Sequence, residues 1–265
     1  RGNLTEQLYY GTDGKPIYNK QGFSKVIRKI DVNGYITEVS YHHADGRPIL
    51  NNDGYSRFVQ KFDDRGNLTE QSFYGTDGNL TLRDEGFARL KQKIDARGNV
   101  IEMSFFGIDG SLTYDKNGYS IFKRKYDESG NIGEVSYYDI EGKPILINNG
   151  YAKYIQQFDA RGNLTEQSYF GKDGNPIHNK NGYAHLRQQC DNKGNRIKVA
   201  LFDITNKPVL NRNGYASLTF RYDNNNNEVR RTYFDEKGKI KNFKSGYAIL
   251  RQKYDDKGNI IRESY

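Results

Sequence analysis

Tyr119-Ser-Ile-Phe-Lys-Arg-Lys-Tyr126-Asp127-Glu-Ser-Gly130-Asn131-Ile-Gly-Glu-Val-Ser-Tyr-Tyr138 is the stretch that decides the fold. Two runs rich in β-branched and aromatic residues flank an Asp-x-x-Gly signal. The aspartate offers an acceptor at the start of a turn, and glycine supplies a left-handed residue three positions later. That is the chemistry of a three-residue hairpin loop, a type I turn closed by a glycine bulge. Folding the runs about this turn sets Tyr126 against Ile132, Arg124 against Glu134, Phe122 against Ser136 and Ser120 against Tyr138. Large meets small and base meets acid, as an antiparallel pair requires. A helix would fit some of the same apolar positions, but hairpin chemistry follows at once in every copy, so strands are preferred.

The stretch is one copy of a repeat. A Gly-aromatic pair falls at Gly22-Phe23, Gly54-Tyr55, Gly86-Phe87, Gly118-Tyr119, Gly150-Tyr151, Gly182-Tyr183, Gly214-Tyr215 and Gly246-Tyr247, always 32 residues apart. The repeats run 2–33, 34–65, 66–97, 98–129, 130–161, 162–193, 194–225 and 226–257, with a partial ninth over 258–265. Loose loops tolerate insertions, so the constant length implies that every turn is held in a fixed geometry. Each repeat carries three turn signals, for example Asp159 to Gly162, Gly171 to Gly174 and Asn179 to Gly182. All five prolines (Pro16, Pro48, Pro144, Pro176, Pro208) share one column after the second turn, which suits a strand start or edge. The expected fold is all-β: a single repeat domain over 1–265 whose eight three-stranded units form an open twisted β-sheet superhelix or β-solenoid. A closed eight-bladed propeller is the alternative. A repeat of 32 residues is short for a four-stranded blade, which takes ~40–50.

Extended along the chain, the same register sets Arg28 against Glu38, and Gln60, Gln92 and Gln156 against Glu70, Glu102 and Glu166. In the last repeats the acid column turns basic, at Lys198, Arg230 and Arg262. Its expected partners there, Gln188, Phe220 and Gln252, are never basic, so the pattern avoids like charges in opposition.

The hairpin core Tyr126-Asp127-Glu-Ser-Gly130-Asn131 recurs as Tyr254-Asp255-Asp-Lys-Gly258-Asn259, with Phe62, Phe158 or Ile94 in place of the tyrosine. It resembles the YD repeats of the bacterial RHS family over roughly half of each repeat. The departure is the added segment Gly142-Lys-Pro-Ile-Leu-Ile-Asn-Asn-Gly-Tyr151 and its counterparts. The resemblance implies a long coiled β-sheet on a surface or secreted protein, and at its fullest a shell that walls off a toxin.

Composition narrows the rest. Of 265 residues 35% are hydrophobic, yet 14% are aromatic, with 22 tyrosines and no tryptophan, which argues for an ordered chain stabilised repeat against repeat. Columns such as Leu90, Ile94, Phe106 and Tyr119 are expected to fill that core. No apolar run reaches the ~20 residues of a membrane helix. The chain opens Arg1-Gly2-Asn3 and ends inside a repeat, so it is expected to be a segment of a longer protein whose targeting signal lies elsewhere. The lone Cys190 stands in a column of Tyr, Phe and Ile and reads as a small hydrophobe.

No catalytic constellation, metal-ligand spacing or cofactor fingerprint emerges. The histidines (His42, His43, His178, His185) occupy scattered columns. The turn acids Asp13, Asp45, Asp77, Asp109 and Asp173 are too few per turn for calcium. The column from Glu6 to Glu166 is explained by cross-strand partners. Two binding candidates remain. The register places Lys25 beside Tyr41, Arg57 beside Phe73, Arg89 beside Phe105 and Lys153 beside Tyr169, repeated basic-aromatic pairs suited to sugars or anionic polymers. The alternative is that the basic stems merely pack over covered rings. The second candidate is charge: residues 1–193 hold 26 basic against 25 acidic residues, whereas residues 194–265 hold 15 against 8, with Arg230, Arg231, Lys237, Lys239, Lys241 and Lys244 clustered. A nucleic-acid partner would call for a basic stripe along the whole array, so a protein or glycan partner is expected instead. The functional reading is a non-catalytic structural or protein-interaction scaffold of a larger surface or secreted bacterial protein. A multivalent carbohydrate or anionic-polymer module and an RHS-like encapsulating shell are the alternatives.

Overall fold

The computed structural model describes residues 3–265, so Gly2, the expected start of the first repeat, lies outside the described residues. Seventeen strands are described, every pairing antiparallel and between strands adjacent in the chain. They fall into two compact units, the first holding the chain to Lys123 with Tyr138–Lys143, the second Arg124–Tyr137 with Pro144–Tyr265. The strands that begin in the first unit are β1 (Glu6–Leu8), β2 (Lys25–Ile30), β3 (Ile36–His42), β4 (Arg57–Phe62), β5 (Leu68–Tyr74), β6 (Arg89–Ile94), β7 (Val100–Phe106) and β8 (Ile121–Tyr126). Those that begin in the second are β9 (Ile132–Tyr138), β10 (Lys153–Phe158), β11 (Leu164–Phe170), β12 (His185–Cys190), β13 (Arg196–Phe202), β14 (Ser217–Tyr222), β15 (Glu228–Phe234), β16 (Ile249–Tyr254) and β17 (Ile260–Ser264).

In both units the pairing passes from repeat to repeat without a break. β3 pairs with β4 and β5 with β6 in the first, β11 with β12 and β13 with β14 in the second. Propeller blades would interrupt the ladder at each repeat boundary, so the meander is open.

The repeat contributes two strands to the sheet, not three. The segment expected as a third strand makes one bridge, as at His42–Pro48, Phe170–Pro176 and Phe202–Pro208. Only residues 47–50 separate Gly46, which ends one turn, from Asn51, which opens the next, and that is too short for a ladder. Ile49 donates its N–H to the Tyr41 carbonyl (3.0 Å), and the chain then turns back through Asn51 to Gly54. With two strands per repeat, each repeat begins in the direction of the last.

The turns are those read from the sequence. Asp31 donates its N–H to the Tyr35 carbonyl (2.9 Å), Gly34 donates to the Asp31 carbonyl (3.1 Å), and Gly34 has φ +89°. The Asp31 side chain accepts from the N–H groups of Asn33 and Tyr35 (2.9 and 2.8 Å). Where the glycine is replaced, Asn206 and Asn226 take the same left-handed conformation at φ 65°, as asparagine tolerates best after glycine. The third turns of neighbouring repeats are also joined. Asp84 donates its N–H to the Asp53 carbonyl (3.0 Å) and Lys116 to that of Glu85 (2.8 Å) in the first unit. In the second, Lys180 donates to Asn149, Arg212 to Asn181 and Lys244 to Asn213.

The strand register differs from the expected one by a single residue, and the difference has one cause. Beside the turn, Ile30 faces Ile36 as expected, but Lys29 faces Glu38, leaving Thr37 as an extra residue in a bulge. The same shift recurs at Lys61/Phe62, Lys93/Ile94, Gln157/Phe158, Gln189/Cys190, Arg221/Tyr222 and Lys253/Tyr254. Thr69 and Thr165 donate their hydroxyls to the carbonyls of Lys61 and Gln157 (both 3.1 Å), satisfying groups that the bulge pulls out of the ladder. In the hairpin closed by Asp127, Lys125 meets Glu134 at 3.0 Å. Arg28 faces Val39. A one-residue slip sends every side chain beyond it to the other face.

One face therefore becomes an aromatic spine. The Gly-aromatic column interleaves with the aromatic column near the strand ends: Phe23–Tyr41, Tyr55–Phe73 and Phe87–Phe105 have ring centroids 4.5, 4.8 and 4.5 Å apart. In the second unit Tyr151–Tyr169 and Tyr215–Tyr233 repeat the contact at 4.7 and 5.2 Å, and Leu201 interrupts it once. Phe73 is 0% exposed. Such rings, with Val26, Val39 and Leu90 between them, supply most of the burial. Leu90 is in this core as expected, whereas Phe106 lies on the other face and Ile94 and Cys190 are only half-buried beside the tips. Desolvation pushes the Cys190 thiol pKa up, in keeping with an unreactive side chain.

Candidate binding face

The bulge rearranges the basic-aromatic pairs without abolishing them. Tyr41, Phe73, Phe105 and Tyr169 turn into the spine, opposite Val26, Phe58, Leu90 and Tyr154. Burial raises the hydroxyl pKa of Tyr41 and Tyr169 well above the ordinary tyrosine value. The cations expected beside them face the next residue on the polar side. Lys25 pairs with His42, Arg57 with Tyr74, Arg89 with Phe106 and Lys153 with Phe170. The Arg57 guanidinium lies 4.2 Å from the Tyr74 ring centre and the Lys153 ammonium 4.8 Å from that of Phe170. Lys123 and Arg187 cover Tyr138 and Phe202 in the same way, at 4.9 and 4.6 Å.

A second row on this face carries charge. In the first unit Glu38, Glu70 and Glu102 are each held between cations from two neighbouring strands, while Glu6 meets Lys25 alone at 2.8 Å. Glu38 meets Lys29 at 2.9 Å and Arg57 at 3.2 Å; Glu70 meets Lys61 at 3.0 Å, Lys91 at 3.7 Å and Arg89 at 4.0 Å. Glu102 meets Lys93 at 2.7 Å and Lys123 at 3.5 Å. Burial alone would raise the pKa of Glu70, but the hydrogen bond and charge of Lys61, with Arg89 and Lys91, outweigh it and hold the group below the usual carboxylate range. Glu102 is held down likewise by Lys93 and Lys123 against its own desolvation. Such a carboxylate has no proton to give near neutral pH. Between adjacent hairpins the row borders a groove of about 440 Å³ lined by Lys61, Thr69, Glu70, Lys91, Lys93 and Glu102. The corresponding groove three repeats on, about 310 Å³, is lined by Thr165, Glu166, Arg187, Lys198 and Phe202.

The second candidate, the basic cluster near the C-terminal end, is contiguous in sequence but not in space. Arg230 is on the polar face. Arg231 is on the spine face, donating to Glu228 from Nε and Nη2 (2.9 and 3.0 Å), with its guanidinium 5.3 Å from the Phe220 ring centre. Lys237 and Lys239 occupy a turn closed on Asp235, and Lys241 and Lys244 belong to the connecting segment, where their N–H groups bond to Tyr233 and Asn213. The residues that the sheet does place beside Arg230 are Arg221 and Arg251, its cross-strand neighbours on either side. Sequence reasoning missed Arg221 because the bulge moves the partner of Arg230 from Phe220 to Arg221, and Arg251 because it lies across the pairing with the next hairpin.

Elsewhere, His185 stands in the column of Arg57 and Arg89 but is buried, with Nδ1 2.8 Å from the Ser168 hydroxyl and Nε2 without a partner. Desolvation lowers its pKa. Among the described residues no three His, Cys, Asp or Glu side chains come together in a metal-binding group, and no helix is long and apolar enough to cross a membrane. The turn acids Asp45, Asp77, Asp109 and Asp173 accept from N–H groups two residues on, at 3.0 Å each.

No protein-family model and no curated protein matches the chain. Among solved structures it is similar to TcdB2-TccC3, at 12% identity and TM-score 0.43, over 95% of this chain and 14% of that one. It is similar also to the Photorhabdus luminescens Tc holotoxin pore, at 12% identity and TM-score 0.39, over 98% of this chain and 15% of that one. A porin-like protein from Bacteroides uniformis matches at 11% identity and TM-score 0.23, over 78% and 87%. The chain thus spans about a seventh of the length of TcdB2-TccC3.

Proposed function

We propose that this array is a non-catalytic structural wall, a shell-like segment of a larger surface or secreted bacterial protein. The observation that supports it is the uninterrupted pairing from repeat to repeat within each unit, with every connection folded back and bonded to its neighbour. A chain built this way gains area by adding repeats, each stabilised by the one before. Its two faces differ: an aromatic spine on one, rows of charged side chains on the other. The resemblance of the hairpin core to YD repeats suggests the same role, with the sheet coiling into a superhelix that encloses a cargo domain. Electron microscopy of the full-length protein tests this. A hollow body whose wall contains the array is expected; a solid rod, or the array as a separate bead beside the rest, overturns it.

A second reading, a multivalent carbohydrate or anionic-polymer module, draws on the repeated grooves beside Glu70 and Glu166. Weak identical sites would add through avidity. A glycan and heparin screen at low salt that is negative throughout removes this reading.

A further inference from the structure

The polar row changes character along the chain. Lys61, Glu70 and Lys91 stand side by side on β4, β5 and β6, paired Lys61 with Glu70 and Glu70 with Lys91. Five repeats later the same three positions are Arg221, Arg230 and Arg251 on β14, β15 and β16, paired in the same register. Three arginines thus lie in consecutive strands on one face, about 5 Å apart from strand to strand. Among the described residues none of the three has an ion pair; the one side-chain bond is from Arg230 Nε to the Thr232 hydroxyl, 3.2 Å. Nearby acids are committed elsewhere. Glu228 holds Arg231 on the opposite face, Glu263 accepts from Gln252 at 3.0 Å on that same face, and Asp223 and Asp255 close their own turns. Arg221 and Arg251 are exposed. Two residues along from Arg251, Lys253 stands opposite Arg262 on the same face, while Thr219, Thr232 and Ser264 beside the row bring hydroxyls and no negative charge.

Like charges directly opposed in a sheet are destabilising. The array itself shows what resolves such a row: a carboxylate seated between two cations at 3.0 and 3.7 Å, as Glu70 is between Lys61 and Lys91. We infer that the Arg221–Arg230–Arg251 row is a docking site for an acidic polypeptide segment, whose carboxylates take the place that the glutamate column fills in the first unit. A guanidinium fork suits a carboxylate from two directions, and a row of three gives alternating seats. The row spans only two strand spacings and offers no exposed ring, which fits a short acidic segment better than a nucleic acid needing many phosphate contacts and stacking platforms.

The test is fluorescence anisotropy of a labelled oligo-glutamate peptide with the full chain at low ionic strength, beside heparin and oligo-thymidylate of matched charge. The peptide is expected to bind, to weaken steeply with salt, and to lose roughly tenfold or more in affinity with Arg230→Glu. That variant recreates the row of the first unit, so it keeps the fold; Arg230→Gln, with a smaller loss expected, guards against misfolding. Lys237→Glu makes the same charge change in an exposed turn and is expected to leave binding within about twofold. Three results overturn the proposal: no peptide binding, equal losses for Arg230→Glu and Lys237→Glu, or tighter binding of heparin or oligo-thymidylate than of the peptide.

Discussion

The β4–β5 hairpin and the β14–β15 hairpin have the same backbone. Both close on an Asp-initiated tip, both carry the bulge one residue from it, and both seat an aromatic pair or its equivalent on the spine side. Their polar rows are opposites: Lys61 beside Glu70 in one, Arg221 beside Arg230 in the other. The difference teaches what sets the register. If cross-strand charge pairs fixed it, the second hairpin would slip to separate its arginines. It does not, because the tip, the bulge and the spine already determine which residues meet. The polar face is left free to vary in charge from repeat to repeat.

The comparison can be broken at the spine first. Phe73→Ala removes a fully buried ring that touches Tyr55 and Phe87. It is expected to cost about 3–5 kcal/mol in chemical denaturation; a loss no greater than that of a polar-row variant would mean the spine does not dominate. The turns come next. Gly78→Ala places a side chain at φ +81° in open space and is expected to cost about 1–2 kcal/mol. Gly86→Ala should cost more, because at φ +94° its Cβ would also lie 3.3 Å from the Tyr114 carbonyl oxygen. Equal midpoints for the two would deny that the third turns are packed against one another.

Smaller effects separate the rows themselves. Glu70→Gln is expected to destabilise by about 1 kcal/mol, since it strands Lys61 and Lys91. Arg230→Glu is expected to stabilise by up to about 1 kcal/mol, by relieving two like-charge neighbours. Opposite signs in thermal melts would sharpen the contrast, and matching signs would erase it. The smallest effect is a pH dependence at His185. Its folded pKa lies below the ordinary 6.5, so the neutral form is favoured in the folded state. The stability this contributes is present above pH 6.5 and is lost as pH falls from there through the depressed value. His185→Gln should flatten the stability curve in that window.

Much of this was legible in the residues. The Asp-x-x-Gly tips and the Gly-aromatic column state their roles because a left-handed glycine and a buried ring have few alternatives. The bulge was not legible. Its extra residue is Thr37, Thr69 or Thr165 in some repeats and Ile101, Ile197 or Val229 in others, ordinary strand residues that carry no turn signal. Missing it turned Tyr41, Phe73, Phe105 and Tyr169 from spine into binding candidates and hid the opposition of Arg221 and Arg230. The third segment misled for a different reason. A residue such as Ile49 looks like strand, but turns on both sides leave it room for a single bridge.

The bonds between third turns, such as Lys116 to Glu85 and Arg212 to Asn181, form a second line of attachment beside the strand ladder. A repeat pulled from the end cannot peel away hydrogen bond by hydrogen bond, because its strands and its outlying turn are fastened to the same neighbour and must let go together. Under tension the chain should therefore lengthen in equal jumps of one repeat, so that a frayed end gives up a whole repeat or none of it.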